Sequence, residues 1–293
     1  MPEGPEVRIV IDKIRYHALG HNLKEIIIDD SYSEKESLKQ NISNIANFLP
    51  SKLIDVCSVG KQIFMFLENG FILNSFLSMT GHWLYNKELK HTRLIFDFEY
   101  FKFYYDDVRK WGRLKIITFE QMNEKILDFR YDFMNIVSPQ LHIKNEILSK
   151  LSSTFFDRIT PEKFYDIINK TGKRSPNKEI CLFLLDQKKI SGVGNYIKSE
   201  SLYLSKIHPH KTCINITKEE AINLYNAIID VMRNSYIKNG LTLGDFITPD
   251  FECGYYDVII YGKENKLDQN GYKIKCCKDK DRKTFYVEEI QKL

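Results

Sequence analysis

The stretch LLDQKKISGVGNYIKSE, residues 184–200, reads as two helical segments broken by a turn that holds Gly192 and Gly194. Glycine has no Cβ, so the backbone N–H groups of such a turn can approach a phosphate, and Asn195 would add a side-chain donor. Taken alone, the pattern fits an ordinary helix connection capped by glycines better. Its surroundings decide between the two.

Helical signals extend on both sides. Thr160 and Pro161 start one helix, with threonine as cap and proline at the first position. Thr217 and Glu220 form a capping box ahead of AINLYNAIIDVMRNSYIKN, which Gly240 closes. Near the start of the chain, Val7, Val10 or Ile11, Ile14 and Ala18 recur at helical spacing, predicting an opening helix over 5–18. From Leu23 to about Ile117 the pattern changes to short β-rich runs, with Asn69-Gly70 as a hairpin turn. That predicts a mostly antiparallel β domain in two layers. Residues 120–150 are mixed and polar, and β character returns after about 252 in DVIIYG and RKTFYVEE, around a polar turn at Asp268 to Gly271.

The 293 residues allow two domains with real cores, and 43% hydrophobic with 28% charged residues is a globular composition. Neither a run long enough to cross a bilayer nor a secretory signal is read, so an intracellular protein is expected. The cysteines, at 57, 181, 213, 253, 276 and 277, lack the even spacing of a disulfide framework. The net charge of +4 is concentrated late: residues 261–293 hold nine Lys/Arg against six Asp/Glu, which favours a polyanionic partner.

Further motifs run through the chain in order. They are PEGPEV at 2–7, Gly60-Lys61 at the entrance of a strand, SMTG at 78–81, HTRLIF at 91–96 and DDVRKWGRL at 106–114. After the glycine turn come IHP at 207–209, LTLGDF at 241–246, YGK at 261–263 and RKTFYV at 282–287. In this order and separation the chain resembles the formamidopyrimidine-DNA glycosylase/endonuclease VIII family, whose members remove oxidised bases from DNA.

The resemblance implies an α+β fold: an N-terminal antiparallel β-sandwich with an opening helix (1–130), a linker (131–150), a helical domain with a helix-two-turn-helix motif (151–250) and a C-terminal β-hairpin (251–293). It implies that Met1 is removed and that Pro2, then a secondary amine, attacks the sugar C1′ and displaces the base. A free α-amine has a reference pKa near 8, so about a tenth is unprotonated at neutral pH. Glu3 would move protons at the sugar, Lys61 would bind the lesion's phosphates and assist β-elimination, and Arg282 would grip the same phosphates and favour δ-elimination. The target nucleotide must leave the duplex. Met79, Arg109 and Trp111 resemble the side chains that fill the gap. Asn195, Gly194 and His91 are implied contacts to the DNA backbone, with Glu6 and Glu200 as buried hydrogen-bonding groups behind the site.

Departures from the family pattern sharpen the reading. Most members close the hairpin around zinc with four cysteines, whereas here Cys276 and Cys277 are adjacent and no other Cys or His lies between Tyr261 and Leu293. A metal-free hairpin is expected, as in the zinc-less endonuclease VIII-like branch, with no cofactor. Phe76 stands where many members have histidine, and Lys110-Trp111 replaces Arg-Phe, changes expected to alter opposite-base preference. Damaged double-stranded DNA is the expected partner, single-stranded or bubble DNA a further implication, and the protein is expected to be a monomer. A non-catalytic binder of bent or damaged duplex stays open at this point, and retention of Met1 would favour it. A weaker alternative is an RNA-binding module.

Overall fold

The computed structural model describes residues 2–29, 32, 42–43, 45–129, 131–140, 142–152, 155, 158–242, 246–279 and 282–293. The opening helix α1 spans Gly4–Ala18, one residue earlier than its periodicity predicts, with Pro5 inside its first turn. Eight strands follow: β1 (Asn22–Ile28), β2 (Ser51–Val59), β3 (Gln62–Leu67), β4 (Ile72–Phe76), β5 (Gly81–Tyr85), β6 (Thr92–Phe98), β7 (Lys102–Asp107) and β8 (Arg113–Ile117). They pair antiparallel in the order β5-β7-β6-β1-β2-β3-β4-β8.

The sheet is nearly cut in the middle. β1 and β2 share only the pairs Asn22↔Lys52 and Leu23↔Ser51, so the two four-stranded halves can fold over one another. One apolar core joins Val56, Ile63 and Leu73 of one half to Leu94, Phe96 and Phe103 of the other, and α1 adds Val7, Val10, Ile11 and Ile14. Trp83 on β5 donates its indole N–H to Ser75 on β4, 3.1 Å across the layers. Each buried aliphatic side chain of this core contributes about 1.5–3 kcal/mol, which offsets the roughly 1–2 kcal/mol that ordering each backbone residue costs.

The mixed, polar stretch 120–150 holds helical segments that its composition does not announce. Helix α2 (Phe119–Asp128) and the short α3 (Met134–Val137) and α4 (Asn145–Leu148) lie along this connection. Met122, Ile126, Ile143 and Ile147 cover the outer face of β2, β3, β4 and β8, packing on Cys57, Phe64, Phe66 and Ile72. Their sparse apolar residues fall on one face, which a mean polarity conceals.

The helical region comprises α5 (Pro161–Arg174), α6 (Ile180–Leu184), α7 (Asn195–Leu204) and α8 (Lys218–Ile237). The predicted Thr160 cap and the Thr217/Glu220 capping box are both formed. Phe164, Ile168, Phe183, Ile197, Leu224 and Ile228 make the core. The closing hairpin is β9 (Lys275–Asp279) with β10 (Arg282–Tyr286). RKTFYVEE therefore supplies a strand over its first five residues, but DVIIYG does not. Its Ile259, Ile260 and Tyr261 N–H groups donate to the Glu200 carboxylate instead of to a neighbouring strand. The centre of LTLGDF, 243–245, and Met1 lie outside the described residues. No helix among the described residues is long and apolar enough to cross a membrane.

Candidate active site

The first residues of the chain dock on the glycine turn that precedes α7. Gly4 N–H donates to Gly192 O at 2.9 Å, and a Cβ on Gly4 would meet Met134 and the Gly192 backbone. Glu3, almost fully buried, projects its carboxylate onto the N-terminus of α7. Tyr196 N–H reaches Oε1 at 3.0 Å and Ile197 N–H reaches Oε2 at 3.4 Å. Orphan N–H groups and the positive end of the helix dipole favour an anion there. Gly194 is needed for the approach: a Cβ on it would stand 2.2–2.6 Å from the Glu3 carboxyl atoms.

Burial pushes the Glu3 pKa upward, opposed by Lys61 and by the Tyr196 N–H, while Glu6 pushes in the same direction as burial. The Lys61 ammonium is driven the other way by burial and by Arg282, with Glu3 resisting. Lys61 owes its position to Gly60, which has φ +58° and donates its N–H to Asp132 Oδ2 at 2.9 Å between β2 and β3. A cleft of about 590 Å³ is lined by Lys61, Phe76, Gly194, Asn195, Asp279 and Arg282 among others. Pro2, buried in the chain, immediately precedes Glu3.

Behind this cleft, Glu6 accepts from Glu3 N–H at 2.8 Å, from the Tyr196 hydroxyl and Ser235 hydroxyl at 3.1 Å each, and from Leu241 N–H at 3.2 Å. Glu200 accepts the three N–H groups of the former strand candidate, and burial pushes its pKa up against them. Asn195 plays a part its sequence context does not reveal. Its amide donates to Lys283 O at 2.8 Å and its Oδ1 accepts from buried Lys198 at 2.9 Å, which ties α7 to β10.

Met79, Arg109 and Trp111 come together on a separate exposed surface. Arg109 Nη1 lies 3.8 Å from the Met79 sulfur, and its guanidinium is 5.2 Å from the Trp111 ring centroid. Asp107 organises this loop by accepting the N–H groups of Arg109 and Gly112. His91 is not among the residues lining the cleft. Its backbone pairs with Asp106 and Asp107, and it is half-buried.

Sequence reasoning missed Arg8, buried in α1, which bonds to Ser58, Asn135 and Ser138 and lies 3.9 Å from Asp132. It also missed Tyr196 and Lys198. A charged residue on the apolar face of α1 was the available signal for Arg8.

Sequence comparison matches residues 1–114 to the formamidopyrimidine-DNA glycosylase N-terminal domain and residues 154–245 to the H2TH domain of the same glycosylase, together more than two thirds of the chain. The chain belongs to the formamidopyrimidine-DNA glycosylase family. Formamidopyrimidine-DNA glycosylases of Rickettsia conorii and Mycoplasma pneumoniae are each 29% identical to it; the alignments cover 99% of both chains for the first, and 92% of this chain and 91% of the relative for the second. Among solved structures, the MutM (Fpg) protein of Thermus thermophilus superposes with a TM-score of 0.80 at 24% identity, covering 99% of this chain and 98% of that one. Lactococcus lactis Fpg in complex with DNA containing an abasic site gives 0.82 at 20% identity, over 99% and 100%. These likenesses establish the fold of a formamidopyrimidine-DNA glycosylase, sheet and helical region alike.

The zinc that most of this glycosylase family holds in the hairpin does not fit the cysteines here. Cys276 and Cys277 are successive residues of β9, so their side chains point to opposite faces. No second cysteine pair accompanies them on the hairpin.

Proposed function

We propose that this DNA glycosylase of base excision repair excises oxidised bases with Pro2 as its nucleophile and then cleaves the strand by β,δ-elimination. In the first step the Pro2 nitrogen bonds to C1′ as the N-glycosidic bond breaks, and the base leaves with a proton. Opening of the sugar ring gives an iminium between Pro2 and C1′. That cation draws electrons from C2′, so a C2′ proton departs and the bond from C3′ to the phosphate breaks. Elimination of the 5′ phosphate follows.

The observation that carries this reading is the Glu3 carboxylate seated on the α7 N-terminus next to Lys61 and directly after Pro2. A carboxyl group with a raised pKa can hold the proton that O4′ or the leaving base needs. A lysine held below its usual range can take the C2′ proton. Lys61 and Arg282 on the cleft wall supply positive charge to the phosphates flanking the lesion. Damaged duplex DNA is the partner, in keeping with the abasic-site DNA bound by the L. lactis protein, with bubble or single-stranded DNA also accepted. Met79, Arg109 and Trp111 enter the space the flipped nucleotide leaves, while Asn195, Gly194 and His91 lie along the backbone path. The departure from the four-cysteine pattern favours the zinc-less endonuclease VIII-like branch, and with it oxidised pyrimidines and ring-opened or over-oxidised purines as substrates.

Borohydride reduction in the presence of abasic-site DNA tests the mechanism. The native protein should form a covalent adduct that Pro2→Gly, or an N-terminal extension, abolishes. An intact chain that forms none is a DNA-binding protein without this chemistry.

A further inference from the structure

Three separate segments meet beside the cleft: the start of α6, the loop after α7 and the end of β9. They bring together Glu179, Cys181, His210 and Asp279, whose ligand atoms all lie within 4.8 Å of one another. His210 Nδ1 is 3.1 Å from Glu179 Oε2 and 3.7 Å from Asp279 Oδ1, and Cys181 Sγ is 3.6 Å from Glu179 Oε2. Four bonds of about 2.0–2.3 Å to a tetrahedral cation place donor atoms roughly 3.3–3.7 Å apart. Three of the six pairs here lie at 3.1–3.7 Å and no pair exceeds 4.8 Å, so small side-chain shifts would close the group on an ion.

An ion pair is the simpler explanation for a histidine between two carboxylates, but then the ring should donate a hydrogen bond to one of them. His210 Nδ1 is shielded from solvent and lies 3.1 Å from Glu179 Oε2, but not at an angle at which the ring N–H would donate to it. The backbone holds the ligands in place by itself. Ile180 N–H donates to Lys211 O at 2.9 Å, Cys181 N–H to Pro209 O at 3.2 Å, and Glu179 bridges to Thr212. On the hairpin, Asp279 pairs with Arg282 across the strands and accepts from the Thr284 hydroxyl, which in turn accepts from buried Lys198 at 2.6 Å. With Cys181 as thiolate, three negative ligands face a dication and the Lys198 ammonium balances the remaining charge.

We propose that Glu179, Cys181, His210 and Asp279 form a structural zinc site that pins the β9–β10 hairpin to the helical region. Thiolate and imidazole select a borderline cation over magnesium or calcium, and four protein ligands leave no open position for a reactive water. This site is distinct from a four-cysteine cluster within the hairpin, because three of its ligands lie outside the hairpin. It also departs from the sequence expectation of a chain without metal. Its structural effect is to anchor the strand end from which Arg282 begins β10.

Elemental analysis of the full-length protein after dialysis should give about one zinc per chain, which Cys181→Ser and Asp279→Asn lower at least tenfold and the Cys276→Ser/Cys277→Ser double variant leaves unchanged. Cobalt(II) added to chelator-treated protein should give thiolate-to-cobalt charge-transfer absorption and the visible bands of a tetrahedral ion, with the charge-transfer band lost in Cys181→Ser. The cobalt measurement on unmutated protein does not depend on any variant folding. Protein that neither contains zinc nor takes up cobalt overturns the proposal, as does zinc that survives Cys181→Ser or depends on Cys276 and Cys277.

Discussion

The Glu3 carboxylate occupies the space that a side chain at residue 194 would fill, with Gly194 as the N-cap of the helix whose N–H groups hold it. Gly194→Ala must push Glu3 away from α7 and from Lys61. Displacement of a reacting group by about 1 Å costs on the order of 10²-fold in rate. Single-turnover excision by this variant should fall by about that factor while duplex binding in gel shifts persists. Unchanged excision would show that Glu3 acts from another position.

Glu3 and Lys61 should both leave their mark on the pH profile of excision. The Glu3 carboxyl is held above its ordinary range by burial, so its protonated form persists to higher pH than an exposed glutamate allows. Lys61 is held below its range, so its neutral form is reached at lower pH than an exposed lysine allows. The limb assigned to Glu3 should disappear in Glu3→Gln, together with most excision of intact damaged bases, while DNA binding remains. A Gln variant with native turnover would remove Glu3 from the mechanism.

The gap-filling role proposed for Arg109, which lies against Met79 and Trp111, matters only where a partner strand leaves a gap. Arg109→Ala should therefore reduce excision from duplex DNA several-fold more than from single-stranded DNA bearing the same lesion. Equal losses on both substrates would count against a gap-filling role.

Asp250 fastens the 247–253 loop to α1, accepting from Lys13 and from His17 at 2.6 Å each. Burial raises its pKa, but Lys13 and His17 outweigh burial and leave it below the ordinary carboxylate range. A depressed folded pKa means stability that is present above the unfolded value and lost as pH falls through the folded one. Thermal melts of the native protein should lose this contribution from about pH 4 downward, a loss that Asp250→Asn should not show because the contribution is absent from the outset. Parallel pH curves for the two proteins would contradict this account.

Local signals carried much of the fold into the sequence. The Thr217/Glu220 box and the Thr160-Pro161 start depend on neighbours three residues away, and Asn69-Gly70 depends on backbone freedom at one position, so each is visible in a short window. DVIIYG misleads because its β-rich composition records burial of Val258 and Ile260, whereas its backbone donors were claimed by Glu200, some sixty residues earlier. The N-terminal residues of the site were legible through the motif they share with a family. Asn195 was legible as a residue of interest, but its bond to Lys283 arises from packing between distant segments. The same distance hid the grouping of Glu179, Cys181, His210 and Asp279, since no spacing rule spans three separate stretches.

The cleft takes Lys61 from the sheet, Gly194 from the helical region and Arg282 from the closing hairpin, with Glu3 of the opening segment beside them. Residue 3 and residue 282 thus come to one end of the cleft region although nearly the entire chain separates them. A chain still being synthesised has its proline amine and its glutamate but lacks Arg282 and the β10 backbone that Asn195 binds. The proposed β,δ-elimination therefore requires β10 to be in place, and a polypeptide cut before this strand should lack it.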